Sequence, residues 1–247
     1  MKKFNILTCF VFVSLILLLS SCVFVNFPGL GAVEGMGEPI SYEIRTSPFS
    51  GVNAEGNVEI HYYYSPLYNG SVDLLVYPNL FEYYELEVID DILFIRNTRR
   101  ISSSRIQAKI FIYSPVLNSI NISGLGNFIA HDLIKNEHFS LVLSGAGTFY
   151  SEFDLEHLEL RMSGAGSIEL KGSAEYATFD ISGAGDFNAI SLETRNSTVR
   201  LSGAANVSIT STDNLRIFAS GAGSIIYGGS PNLELNNSGI VSIRRAN

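Results

Sequence analysis

Ser-Gly-Ala-Gly occurs unbroken at residues 144–147, 163–166, 182–185 and 220–223. Weaker copies follow the same plan: Ser-Gly-Leu-Gly at 123–126, Ser-Gly-Ala-Ala at 202–205 and Ser-Gly-Ile-Val at 238–241. The first glycines stand at 124, 145, 164, 183, 203, 221 and 239, at intervals of 21, 19, 19, 20, 18 and 18 residues. One motif at a near-constant period predicts a solenoid, in which no repeat can bury its apolar side alone.

The flanks of each copy alternate. Leu158, Leu160 and Met162 lead into Gly164 and Gly166, and Ile168 and Leu170 follow in the same parity. Phe179, Ile181, Gly183, Gly185 and Phe187 repeat the pattern one unit on. A period of two means strand with one buried face, and no helical spacing fits. Two readings of the glycines stand. The preferred one is a bend, where glycine supplies a backbone conformation that other residues resist. The other is an unbroken strand in which glycine lets opposite walls of a narrow coil approach. A phosphate-binding loop is a poor match, because no helix pattern follows and no lysine adjoins the motif.

The opposite parity carries small polar residues: Ser144 and Thr148, Ser163 and Ser167, Ser182 and Asp186, Ser202 and Asn206, Ser220 and Ser224. Seven coils have six gaps, so a stack at about 4.8 Å per coil is roughly 29 Å long. On it these residues would form ladders on a flat outer strip. The simpler account, and the preferred one, is that small residues suit a tight, solvated bend. The functional reading makes the same ten residues a candidate binding face for a glycan or a protein.

The chain opens Met1-Lys2-Lys3, runs apolar from Ile6 to Leu19, and continues Leu19-Ser20-Ser21-Cys22. A basic start, a short apolar core and small residues before a cut site read as a secretion signal, not a spanning helix. Cys22 after Leu-Ser-Ser resembles the bacterial lipobox. That resemblance implies cleavage after residue 21, lipidation of Cys22 and a membrane as partner. Residues 22–40 are glycine-rich without alternation and read as a flexible tether. Cys9 would leave with the signal, so no internal disulfide is expected. The net charge of −8 becomes −10 without Lys2 and Lys3, which argues against a nucleic-acid partner.

Residues 41–120 alternate in short runs, such as Val58, Ile60 and Tyr62, or Ile106, Ala108, Ile110 and Ile112, but out of register with the glycine motif. This amino-terminal β region is expected to cap the solenoid of 121–247. Arg244 and Arg245 would charge the far end and discourage end-to-end sheet growth. The tyrosines 62–64, 68, 77, 83 and 84 crowd into one span. They suit sugar or protein contacts, or reflect ordinary strand composition.

Catalysis is not indicated. Asp132, Asp154, Asp180, Asp186 and Asp213 are scattered, and no pair recurs at one place in successive repeats. The four histidines show no metal-binding spacing, and no cofactor is called for.

Several stretches together resemble a known family. They are Phe49-Ser-Gly-Val52, Gly56-Asn-Val-Glu-Ile60, Asp91-Ile-Leu-Phe-Ile95, Ile110 to Pro115, Leu117 to Gly124, the glycine repeats, and Gly229-Ser-Pro-Asn-Leu233. The family is a bacterial one labelled putative auto-transporter adhesin, head GIN domain. The resemblance spans about residues 44–245. It implies a right-handed parallel β-helix and brings no catalytic residues. Ala205, Ile240 and Val241 break the glycine pattern and suggest less regular bends there. The expectation is a non-enzymatic, lipid-anchored adhesin or envelope-binding module. It would sit in the bacterial cell envelope, with the outer membrane preferred and the leaflet open. The alternatives are a carbohydrate-active β-helix enzyme or a structural protein of the envelope.

Overall fold

The computed structural model describes residues 31–102 and 104–246. The stretch expected to be a secretion signal, and Cys22, lie outside the described residues. The amino-terminal strands are β1 (Ile40–Arg45), β2 (Gly51–Tyr64), β3 (Ser71–Val76), β4 (Tyr84–Ile89), β5 (Ile92–Asn97) and β6 (Ala108–Ser114). The remaining strands are β7 (Ser119–Ala130), β8 (Ile134–Leu143), β9 (Ala146–Met162), β10 (Ala165–Ile181), β11 (Ala184–Leu201), β12 (Ala204–Ala219), β13 (Ala222–Gly228), β14 (Asn232–Asn237) and β15 (Ile240–Arg245).

From β7 onward every pairing is parallel, and the chain forms a β-solenoid of about seven turns. Ala146, Ala165, Ala184, Ala204 and Ala222 face one another in successive coils. The alternation read from the sequence becomes columns of like residues. Phe149, Ile168, Phe187, Val207 and Ile225 stack inside, none more than 1% exposed. Burying such side chains contributes about 1.5–3 kcal/mol each. Because each column is shared between coils, the benefit belongs to the stack and not to one repeat.

The backbone bends at Gly145, Gly164, Gly183, Gly203, Gly221 and Gly239, so the preferred reading of the motif holds. Its second requirement is closeness along the stack, not across the interior. A β-carbon on Gly164 would meet the carbonyl oxygen of Gly145 in the coil below at 1.7 Å. The expected irregularity at Ala205 and Val241 does not appear. Ala205 pairs with Gly185 and with Gly223, and Val241 pairs with Gly223, without a register shift. The shifts fall instead between Glu169 and Lys171, between Ala189 and Glu193, and between Thr194 and Asn196. A second corner lies at Glu156-His157, where two successive residues are exposed and the alternation slips.

The solenoid also begins earlier than the sequence reading placed it. All of Gly51–Tyr62 in β2 runs parallel to β7, with Gly56 opposite Gly124. Glu55-Gly56-Asn57-Val58 is therefore a further copy of the motif, disguised because only its glycine survives. Gly124 needs to be glycine twice over: its φ is +100°, and a β-carbon would sit 2.7 Å from the Gly56 carbonyl oxygen. The chain then doubles back. β5 and β6 run parallel beneath the two halves of β2. Antiparallel strands close the end, β4 on β5, and β3 then β1 on β6. These strands cover the open edge of the amino-terminal coil. The expected separation of a cap at 41–120 from a solenoid at 121–247 is not found, since β2 is itself a coil.

The tether is narrower than expected. Val33 forms a parallel bridge with Ile101, and its N–H donates to the Arg100 carbonyl at 2.9 Å. The Gly35 N–H donates to Gln107 Oε1 at 3.1 Å and the Met36 N–H to Asn79 Oδ1 at 2.9 Å. These bonds fasten residues 33–36 to the cap. At the other end β14 lies fully exposed, and Arg244 and Arg245 stand exposed on β15.

Candidate functional site

The predicted binding residues form two files on the outside. Ser144, Ser163, Ser182, Ser202 and Ser220 occupy the residue before each bend, and all are exposed. Thr148, Ser167, Asp186, Asn206 and Ser224 face one another in the strands after it. The bend separates the files, so they do not make the flat strip expected. The second file is partly knitted to itself. Asn206 Nδ2 donates to Asp186 Oδ1 at 3.0 Å, and Ser224 Oγ donates to Asn206 Oδ1 at 2.9 Å.

That file does not stop at Thr148. The Thr148 N–H donates to Asn127 Oδ1 at 3.0 Å, Asn127 faces Glu59, and Glu59 faces Lys109. Beside this continuation lies an aromatic platform built by β6, β2 and β7. His61 faces Phe111 and Tyr63 faces Tyr113 across the strands. The Tyr63 and His131 rings stack at 4.6 Å and 4°. His61 stacks on Phe111 at 4.8 Å and on His131 at 5.2 Å. Tyr68 meets Tyr113 edge-on at 6.3 Å. Such pairs add about 0.5–1.5 kcal/mol beyond area burial, and they hold the rings of Phe111, His61, His131 and Tyr63 near parallel, face to face.

Electrostatics fix the platform's polar border. Glu59 is half-buried, which alone would raise its carboxyl pKa. Hydrogen bonds from Lys109, His61 and Asn127 outweigh burial and hold it below the usual range. His61 Nδ1 lies 2.9 Å from His131 Nε2, and His61 Nε2 lies 3.0 Å from Glu59 Oε1. Burial, then the neighbouring His61, pull the His131 pKa below its ordinary value, against the pull of Asp132. Burial first, then Asp73, raise the Tyr113 phenol, whose O–H donates to Asp73 Oδ2 at 3.2 Å.

The tyrosine-rich span thus divides. Tyr62 and Tyr84 are core residues, 1% and 7% exposed, whose hydroxyls donate to the Ser114 and Asn57 carbonyls. Burial pushes the Tyr62 phenol up to about 12. Tyr63 and Tyr68 belong to the platform. Phe111 and Tyr113 were not singled out from the sequence, and His61 and His131 were weighed there only as metal-binding or catalytic candidates, since nothing local joins these four. They meet only because β6 folds back under β2.

A second hollow, of about 680 Å³, opens beside the Glu156-His157 corner. His138, His157 and Tyr176 stack there in one file, with ring centroids 4.7 and 5.0 Å apart and planes within 12°. The file continues as Asn196, Asn214 and Asn232. The sequence did carry a signal for it: residues 138, 157 and 176 share the 19-residue interval of the glycines.

The aspartates do not converge. Asp154 pairs with Lys135 at 2.6 Å, Asp180 with Arg200 at 3.1 Å, and Asp213 with Arg195 at 3.2 Å. Asp132 accepts the Tyr64 N–H at 2.9 Å, and Asp186 sits in its ladder. Among the described residues no three His, Cys, Asp or Glu side chains could together hold a metal ion.

Comparison with known proteins places this architecture. A putative adhesin from Bacteroides fragilis is similar over 87% of this chain and 100% of its own, with TM-score 0.80 and 21% identity. A protein described as a putative lipid binding protein from Parabacteroides distasonis covers 88% of this chain and 100% of its own, with TM-score 0.69 and 22% identity. A putative adhesin from Parabacteroides merdae covers 87% and 99%, with TM-score 0.68 and 22% identity. At these identities the likeness is one of fold. No curated protein matches the chain. The family described as "Putative auto-transporter adhesin, head GIN domain" matches residues 48–231, from the first strand of the solenoid almost to its last coil, and the chain belongs to that family.

Proposed function

We propose that this chain is a non-enzymatic, lipid-anchored binding module of the bacterial cell envelope, held at the outer membrane through Cys22, that adheres to a glycan or protein surface. The observation that carries the reading is the continuity of the aromatic platform with the polar file from Lys109 and Glu59 to Ser224. Half-exposed rings beside hydroxyls and amides make a broad contact face of the kind that suits sugars and protein surfaces. The engagement of Asp154, Asp180, Asp186 and Asp213 in ion pairs and ladders supports binding over hydrolysis. General acid–base work needs two carboxyl groups poised on one bond. The residues before the bends, Ser144 to Ser220, border this face across the corner and serve as its rim. Lipidation follows from the Leu-Ser-Ser-Cys motif, and a multi-chain anchor would hold stably.

Four measurements test the reading. Cys22→Ser should move the protein from the membrane fraction to the soluble one. Protease treatment of intact cells should remove it if it faces outward, and full protection would defeat an external adhesin. Tyr63→Ala with Tyr113→Ala should reduce attachment of protein-coated beads to host or envelope extracts at least tenfold. Release of new reducing or unsaturated ends from glycans would overturn the non-enzymatic reading.

A further inference from the structure

We infer that the groove along the His138–His157–Tyr176 file binds an uncharged glycan chain. This site shares no residue with the platform or the polar files, so it goes beyond the adhesive reading and does not depend on it. The hollow beside His138 and a second of about 340 Å³ both include Tyr176 and Thr178, so the two form one trough. From His138 to Asn214 the trough crosses five coils, with His157, Tyr176 and Asn196 between them. At about 4.8 Å per coil that is roughly 19 Å, room for several sugar units in a row and not a single one.

The side chains along it are planar and polar. Imidazole, phenol and amide groups succeed one another once per coil, with Asn214 Nδ2 donating to Asn196 Oδ1 at 2.7 Å. A repeating ligand of hydroxyls and ring oxygens can meet such a file at every step. Tyr176 ends the run of rings and is 47% exposed, so its ring offers surface to the C–H face of a pyranose.

Charge decides which glycan. The cations bordering the trough are already paired: Arg161 with Glu159 at 2.5 Å, Arg216 with Glu234 at 3.1 Å, and Arg195 with both Glu175 and Asp213 at 3.2 Å. Glu137 and Glu156 are exposed on the rim, and neither takes part in an ion pair among the described residues. A uronate, sulfate or phosphate would find like charge and, among the described residues lining the trough, no unpaired Lys or Arg, whereas a neutral chain meets no such penalty.

Calorimetry on the full-length protein with cellohexaose, mannohexaose, chitohexaose and hexagalacturonate tests this. At least one neutral hexasaccharide should bind, and hexagalacturonate should not. Tyr176→Ala and His157→Ala should each weaken binding at least tenfold with the melting temperature little changed. Asn206→Ala, in the other file, should leave it intact. Glu137→Lys should admit hexagalacturonate. Absence of binding by all three neutral chains, preference for the acidic one, or indifference to Tyr176→Ala would each overturn the assignment. None of these outcomes touches the platform, which is read through Tyr63 and Tyr113.

Discussion

Gly164 lies directly on Gly145, so close that a β-carbon would fall 1.7 Å from the carbonyl oxygen beneath, while its neighbour Ala165 is exposed and tolerates one. The obstacle is backbone, which cannot swing aside as a side chain tip can. Gly164→Ala should therefore cost about 3 kcal/mol or more, the upper range for overpacking. In a chain of this size that lowers the melting temperature by roughly 6–12 °C. Ala165→Ser should stay within about 0.5 kcal/mol. Equal thermal unfolding of the two variants would show that the stacking argument is wrong.

Position along the stack should set the cost of truncating the core. Phe149 is 1% exposed and stacks on Phe128 at 4.7 Å, with coils on both sides. Phe149→Ala should cost about 3–5 kcal/mol. Leu235 continues the interior column of Leu160, Phe179, Val199 and Ile217, yet is 48% exposed at the end of the stack. Leu235→Ala should cost under about 1 kcal/mol, well short of a fully buried leucine. Denaturant midpoints would compare the two.

Thr194 is buried with its hydroxyl 2.5 Å from Ser197 Oγ and donating to the Thr210 carbonyl at 2.7 Å. Thr194→Val keeps the shape and strands both partners away from water. The expected loss is about 1–3 kcal/mol, read by chemical unfolding. A neutral result would mean that water reaches them.

Acid should weaken the amino-terminal coils in two steps. The folded His131 pKa lies below its ordinary 6.5, so between the two values the unfolded chain holds more protons. Stability is thus full above 6.5 and falls as pH drops through the folded value. The folded Glu59 pKa lies below 4.5, so its share is present above 4.5 and is lost further down. His131→Asn should flatten the first step and spare the second. Melting temperature against pH would show whether the earlier step survives the substitution, in which case His131 is not its source.

The glycine period foretold the coils from Gly124 onward because one physical constraint, backbone close to backbone, acts at every turn. It missed the coil at Gly56, where the neighbours are Glu55 and Asn57 and the serine and second glycine are absent. It could not foresee β5 and β6 passing beneath β2, since no local pattern records which strand lies under which. The candidate binding residues lie on the outer side of the coils, but not as one flat strip, as the bend at each glycine divides Ser144 from Thr148. The platform drew on residues far apart in sequence, His61 and His131 for instance, which only the folded register joins.

Because Ala146, Ala165, Ala184, Ala204 and Ala222 meet without offset, copying or deleting one such unit of the gene would join like to like. Each added copy would lengthen the molecule by about 4.8 Å and leave the existing interior as it was. Reach thus becomes a trait that duplication can tune in even steps, a ruler written in multiples of one short segment.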